Sequence, residues 1–405
     1  NDGNDPVEDI LQTLDDTIKK SSESNAEFLQ NTSVNIQEIS EKVKDIMKSK
    51  EQIDKNNIKI ESLGIYLPET VLSTSQLMSQ CRHLPSCDLE QITGIHERRM
   101  ADGEYALDLA VKSANNALKM SQYSVEDLDM IICTSISKYH DQDKVSFEPC
   151  TSMMIREKIG AVNAITFDIT NACAGMFNGI YIMESFIKSG AIKRGMVVSG
   201  EYNMPLVDTS TKEIKHSFDR QLATLTLGDG GAALILDSAD NDKYGLHQLD
   251  LITGAKHNHF CYSKPSTHGS GATLMTKARG LQRKGAEHFP FYLKKTVDNS
   301  GWTMDDIDYG IAHQVSVGGI KKGVKVLNKF LGEKIKFPFL HNVEKFGNTT
   351  STSHFIVLHE FLLNNTVNKD HNLLFVSGAS GIVITHATYT MDDLPQRYVS
   401  TFGTA

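Results

Sequence analysis

From residue 58 onward, short apolar runs alternate with longer segments of mixed polarity. Met130-Ile131-Ile132-Cys133, Ala164-Ile165-Thr166-Phe167, Met196-Val197-Val198-Ser199 and Ala232-Ala233-Leu234-Ile235-Leu236 read as strands buried on both faces. Tyr309–Ala312, Leu373–Val376 and Gly381–Ile384 continue the series. Ile58-Lys59-Ile60 opens it with a short strand running into Gly64-Ile65-Tyr66-Leu67-Pro68. Continuous apolar strands between helical stretches predict an α/β protein with a mixed or parallel sheet.

The pattern is different before residue 58. That segment is rich in Asp, Glu, Lys, Asn and Ser, with no glycine after Gly3. Ile36, Ile39, Val43, Ile46 and Ile53 recur at helical spacing, with Lys50 interrupting the stripe. The spacing predicts an amphipathic helix. Such a helix either lies on the main body or docks another protein or a second copy of the chain.

Two segments of the main body repeat each other. Ser124-Val125-Glu126-Asp127-Leu128-Asp129-Met130-Ile131-Ile132 matches Thr303-Met304-Asp305-Asp306-Ile307-Asp308-Tyr309-Gly310-Ile311 in character. Each has a hydroxyl start, an acidic first turn and an apolar strand, and each follows a long helical stretch. They lie nearly half the main body apart, as two stacked copies of one α/β unit would.

Composition narrows the class without naming it. The chain has 405 residues, 40% hydrophobic and 22% charged, ample for a large core. Its net charge of −9 argues against a nucleic-acid partner. Six scattered cysteines argue against a disulfide framework, and Cys81, His83 and Cys87 lack zinc-site spacing, so no metal is expected. No signal-like pattern opens the sequence and no apolar run reaches the roughly 18 residues of a membrane span. A reducing, cytoplasmic setting without a membrane span is the expectation.

Three separated segments carry candidate chemistry. Cys173, in Asn171-Ala172-Cys173-Ala174-Gly175, falls between a strand and an apolar helix. A helix N-terminus stabilises thiolate, which predicts a lowered pKa, and small neighbours admit a substrate. His313 ends the strand Tyr309–Ala312, and Asn348 lies in Gly347-Asn348-Thr349-Thr350-Ser351. Each has a plainer reading: an inert buried cysteine, a satisfied core histidine, a helix cap. A thiol, an imidazole and an amide together suit carbon–carbon bond formation on thioesters.

In these motifs the chain resembles the thiolase-fold condensing enzymes of the β-ketoacyl-acyl-carrier-protein synthase III branch. The resemblance begins near Ile58 and takes in Gly64-x-Tyr66-Leu67-Pro68, Thr93-Gly94-Ile95-His96-Glu97-Arg98-Arg99 and Gly228-Asp229-Gly230-Gly231. It continues through His313-Gln314 and Gly347-Asn348-Thr349 to Gly378-Ala379-Ser380-Gly381. It implies a thiolase-like α/β fold: two duplicated halves, residues 58–240 and 241–405, stacked as αβαβα layers, with residues 1–57 as a helical extension. It implies that Cys173 takes an acyl group from a thioester while His313 and Asn348 stabilise the enolate of a second thioester. The backbone of Cys173 and of Ala379 and Ser380 would form the oxyanion hole, and Arg98 and Arg220 would contact substrate.

Phe147-Glu148-Pro149 narrows the branch. It resembles the Glu-Pro element of head-to-head acyl-CoA condensing enzymes and of dialkylresorcinol- and cyclohexanedione-forming ketosynthases. By that resemblance Glu148 is a base reaching across a homodimer, with Phe147 beside the substrate. A helix-capping role is the plainer reading. Where many such enzymes hold the CoA nucleotide with Trp and Arg, this chain has Asp88 and Ile92. That shifts the expected donor toward acyl-carrier protein, or CoA held differently. CoA or phosphopantetheine enters as substrate carrier and no resident cofactor is expected. Two other readings remain at this stage: acyl transfer to oxygen or nitrogen, and a catalytically silent partner subunit docking through residues 1–57.

Overall fold

The computed structural model describes residues 56–403 apart from 84, 143, 267, 268 and 270. The helix expected before residue 58 therefore lies outside the described residues.

Ten strands carry the architecture. They are β1 (Ile58–Tyr66), β2 (Met130–Cys133), β3 (Ile165–Asp168), β4 (Gly195–Glu201), β5 (Gly230–Ser238), β6 (Gly245–Thr253), β7 (Tyr309–Ala312), β8 (Phe339–Leu340), β9 (Asn372–Ala379) and β10 (Val383–Thr390). Their spatial order is β8-β7-β9-β10-β6-β1-β5-β4-β2-β3. Each half-sheet has the same order in the chain: centre, fourth place, edge, third place, second place. Pairing also matches. β2 lies parallel to β3 and β4, as β7 does to β8 and β9, and the remaining pairs within each half are antiparallel. The halves touch in the sheet through one pair, Ile58 with Leu246. This is the duplicated α/β architecture that the repeat implied.

The repeated segments explain how each half enters its fourth-place strand. Ser124 and Thr303 begin short 3₁₀ turns, and the Asp127 and Asp306 carboxylates accept from their backbone N–H at 2.9 and 2.7 Å. Local sequence thus starts the same element twice.

Eight helices flank the sheet: α1 (Ala106–Met120), α2 (Thr151–Ile159), α3 (Gly175–Lys188), α4 (Met204–Glu213), α5 (Ala278–Asn299), α6 (Val317–Leu331), α7 (Ser353–Leu363) and α8 (Leu394–Phe402). α3 and α7 form the central layer. Met176, Phe177, Ile180 and Met183 of α3 join Phe355, Ile356, Val357 and Leu358 of α7 in the main core. Each such side chain contributes about 1.5–3 kcal/mol on burial. Every residue from Ser353 to Leu358 is buried, as expected of a helix apolar on all sides. α1 covers the outer face of the first half and α5 that of the second. α1 sits unusually close to the sheet: a Cβ on Gly64 would stand 2.1 Å from the Ala117 nitrogen, and one on Gly200 would stand 2.0 Å from the Ala106 oxygen. Only glycine fits there. Among the described residues no helix is long and apolar enough to cross a membrane.

His386 of β10 is fully buried against Phe289 of α5, with neither ring nitrogen hydrogen-bonded. Burial lowers its pKa to about 3. The folded value lies below the unfolded value near 6.5, so the neutral ring's contribution is present above pH 6.5 and is lost as pH falls toward 3. His386→Phe should therefore gain about 2 kcal/mol relative to wild type between pH 7 and pH 5. Urea unfolding at the two pH values measures this. Equal differences at both values would show that His386 does not resist protonation.

Candidate active site

Strand order places the three candidate residues at the ends of strands facing the central layer. Cys173 follows edge strand β3 and precedes α3. Asn348 follows the equivalent edge strand β8 and lies shortly before α7. The two turns are therefore mates under the pseudo-twofold of the halves, with Cys173 equivalent to Ser351 and Asn348 three residues earlier. His313 follows β7, whose counterpart β2 leads to Thr134. Ala172 and Thr350 hold φ of +47° and +54° at the matching turns. Such geometry costs a non-glycine residue about 1–3 kcal/mol and is kept where packing enforces it.

Cys173 packs with Ala172, Ala174, Ala379 and Val383. The Gly378–Gly381 turn thus comes to the thiol, as the oxyanion-hole expectation for Ala379 requires; Ser380 follows in the same turn, half-buried. Burial opposes the expected thiolate in this resting site. Burial pushes the thiol well above its ordinary pKa, nearby Cys261 and Glu201 add to the rise, and the residue's own N–H opposes it. Desolvation outweighs the helix terminus because the enclosing groups are apolar.

Asn348 is held by its backbone. Its N–H donates to Thr226 O at 2.8 Å, and its own carbonyl accepts from Gly228 N at 3.1 Å. Its side-chain Oδ1 accepts from Thr350 N at 2.9 Å, which turns Nδ2 outward as a donor. The Gly228-Asp229-Gly230 motif stiffens the facing loop. The Asp229 carboxylate accepts from Ala101 N at 2.9 Å and Asn203 N at 2.6 Å. Desolvation raises its pKa to about 7.

His313 is buried. Its backbone N–H donates to Val376 O at 2.8 Å, and ring Nδ1 lies 2.9 Å from Ser353 Oγ. His354 stacks on it with centroids 5.7 Å apart. Burial, with His354 adding, lowers the His313 pKa to about 3, so the ring is neutral at working pH. A neutral imidazole and a carboxamide can donate to a carbonyl oxygen that gains negative charge.

Sequence reasoning missed the polar base beneath these groups. Glu201 is fully buried and accepts from Ser351 Oγ at 2.5 Å, Ser199 Oγ at 3.0 Å, Ile136 N at 3.1 Å and Ser137 N at 3.2 Å. Burial raises its pKa while these donors oppose the rise. The available signal was a lone acid ending an otherwise apolar strand, with the run Thr349–Ser353 opposite.

Other candidates lie elsewhere in the chain. Arg98, expected to touch substrate, is 0% exposed. It donates from Nη2 to Thr74 Oγ1 at 3.1 Å, and its Cβ faces Gly228 and Gly347. Its stem packs under the Asn348 loop, so its place is structural. Arg220 is exposed beside Phe218, with its carbonyl accepting from Thr276 N at 2.9 Å. Phe147 is 85% exposed and Glu148 is exposed beside it, both on the loop before α2. That helix start is capped by Asp168, which accepts from Thr151 N at 3.0 Å and Ser152 N at 2.9 Å. Glu148 therefore does not cap it. Asp88 instead caps the turn Leu89–Thr93, and Ile92 on that turn is 60% exposed. Among the described residues no three His, Cys, Asp or Glu side chains are grouped to hold a metal ion.

Comparison with known proteins places this geometry. The family model described as 3-oxoacyl-[acyl-carrier-protein (ACP)] synthase III matches residues 167–255, which include Cys173. The model of that family's C-terminal part matches residues 297–391, which include His313 and Asn348. The chain is 28% identical over 333 residues to a β-ketoacyl-[acyl-carrier-protein] synthase III of Clostridium novyi, covering 80% of this chain and 96% of that one. It is 27% identical over 319 residues to the Lactococcus lactis protein of the same name, covering 77% and 92%. In fold it is similar to the Aquifex aeolicus synthase III, at TM-score 0.70 and 24% identity, over 83% of this chain and all 100% of that one. OleA of Xanthomonas campestris superposes at TM-score 0.72 and 21% identity, over 83% and 98%. The priming β-ketosynthase of the R1128 polyketide pathway gives 0.71 and 20%, over 84% and 98%.

Proposed function

From the premise that this chain belongs to the 3-oxoacyl-[acyl-carrier-protein] synthase III family of condensing enzymes, we propose that it joins two acyl thioesters by Claisen condensation through an acyl-Cys173 intermediate. What supports this reading is that His313 and Asn348 offer neutral N–H donors beside α7, which packs against the helix that Cys173 precedes. Acyl transfer to oxygen or nitrogen needs only the nucleophile.

In the first half-reaction Cys173 Sγ attacks the donor carbonyl. The carbon–sulfur bond to the carrier breaks, and the thiol proton leaves with the carrier thiol. Backbone N–H groups at Cys173 and the Ala379–Ser380 turn stabilise the oxyanion. In the second, Glu148 of a neighbouring subunit removes an α-proton from the acceptor thioester. His313 and Asn348 hold the enolate oxygen, the α-carbon attacks the acyl group, and Cys173 departs and regains a proton.

A homodimer through edge strand β3 supports that role for Glu148. Ile165 on this strand, with Val145, Phe147, Met153 and Val162 around it, is exposed and apolar. Pairing two such edges covers the patch and carries each Glu148 loop toward the other subunit. As donor carrier we favour an acidic acyl-carrier protein. Lys321, Lys322, Lys325 and Lys329 are exposed along one face of α6, which begins just after His313, against a net charge of −9 for the chain.

The test is a turnover assay with acyl-carrier and acyl-CoA thioesters. His313→Ala and Asn348→Ala should keep acyl loading yet lose condensation by about 10²–10³-fold. Wild-type condensation in both variants, or a wild-type chain that releases only oxygen- or nitrogen-acylated product, would overturn the reading.

A further inference from the structure

We propose that Ser353 is a positioning residue that keeps the His313 proton on Nε2, and that the Ser351–Glu201 contact fixes the segment from which Ser353 acts. This rests on the condensation reading above and adds what orients its imidazole.

The contact between His313 Nδ1 and Ser353 Oγ is 2.9 Å, and both residues are buried. Two proton arrangements are conceivable. If Nδ1–H donated to the hydroxyl oxygen, the serine proton would need its own acceptor. A helical serine ordinarily gives that proton to the carbonyl one turn back. Here the carbonyl four residues back, Thr349 O, already accepts from Thr352 Oγ1 at 2.8 Å and Thr352 N at 3.3 Å, and the one three back, Thr350 O, takes no bond from Ser353 Oγ. Among the described residues Ser353 Oγ has no hydrogen-bond partner other than His313. The hydroxyl therefore donates to Nδ1. A neutral ring that accepts at Nδ1 carries its proton on Nε2.

The neighbouring ring supports the same arrangement. His354 donates from Nε2 to Val376 O at 3.0 Å, the carbonyl that also receives the His313 backbone N–H. Its ring lies nearly parallel to that of His313, at 22°, and Phe177 stands edge-on to it at 5.0 Å. His313 cannot swing away from Ser353 without displacing this stack. The serine is held as well. Ser351, two residues earlier, bonds Glu201 at 2.5 Å and Ser199 Oγ at 2.8 Å. That anchors the turn at Thr350 and with it the start of α7.

The decisive experiment is long-range nitrogen–proton correlation NMR on histidine-labelled full-length chain, with His313 among the 15 histidines assigned by its loss in His313→Gln. Wild type should show His313 protonated at Nε2 and bare at Nδ1. Ser353→Ala should shift it to a mixture of tautomers. The same variant should load Cys173 within about twofold of wild type, yet condense about 10–100-fold more slowly with little change in KM, less than removing an oxyanion donor outright. Ser353→Thr, which keeps the hydroxyl, should restore the wild-type tautomer. A proton on Nδ1 in wild type overturns the proposal, as does a Ser353→Ala chain with unchanged tautomer and turnover. Should wild type condense no thioester at all, the condensation reading fails, while the spectra still decide what Ser353 does.

Discussion

A Cys173→Ala chain should take up no acyl group at the active-site position, and its condensation should fall by about 10³-fold or more, as when other covalent nucleophiles are removed. Five other thiols could mask the result, and the structure says how to read it. Cys81 and Cys133 are buried, and burial pushes Cys133 to about 12. Cys87, Cys150 and Cys261 are partly exposed and can react slowly. Peptide-level mass spectrometry separates these sites. Acylation undiminished in the variant, or mapped in wild type to a residue other than Cys173, would remove the nucleophile assignment. Cys173→Ser is the finer probe: it keeps the size while replacing thiol with hydroxyl, so lost loading would trace to the sulfur rather than to packing.

Glu148→Ala should separate the half-reactions: full loading of Cys173, with condensation reduced by about 10²–10⁴-fold. The exposed position of Glu148 makes its service to another subunit testable. Neither Cys173→Ala nor Glu148→Ala should condense alone. In the proposed homodimer, co-expression should give mixed dimers in which one of the two sites has both an intact thiol and an intact carboxylate. Activity should then recover to roughly a quarter of wild type, the fraction of complete sites in a random two-fold assembly. No recovery would mean that Glu148 serves its own chain. Full condensation by Glu148→Ala would end the base role.

Local features were legible in the sequence. The apolar runs marked most strands, and the hydroxyl–acid pairs at Ser124–Asp127 and Thr303–Asp306 marked the duplication. β6 was missed because it is half-buried, with a register shift between Leu246 and Gln248 that breaks alternation. β8 has two residues, too few to leave a pattern. The last strand was placed too early: Gly381 and Ile382 form the turn, and β10 begins at Val383.

What failed was non-local. The Cys173 thiol was expected to ionise readily because its helix terminus is visible in sequence. Ala379 and Val383, which enclose it, arrive from the other half. Arg98 reads as a polar contact until Gly228 and Gly347 close over its stem. The pairing of the Cys173 turn with the turn that carries Asn348, rather than with the one that carries His313, follows only from strand order.

The matching turns at Ala172 and Thr350 bear on descent. Duplication of one unit delivers two copies of a helix entrance to one axis, initially with the same residue on both. A single site needs only one electron-pair donor, so the second copy is free to diverge. In this chain one entrance carries the thiol that forms a bond, and the equivalent position of the other carries Ser351, whose hydroxyl donates to Glu201, with Asn348 three residues earlier. The chemistry is thus asymmetric on a symmetric frame, and ancestral reconstruction of the unit should be read for which entrance changed.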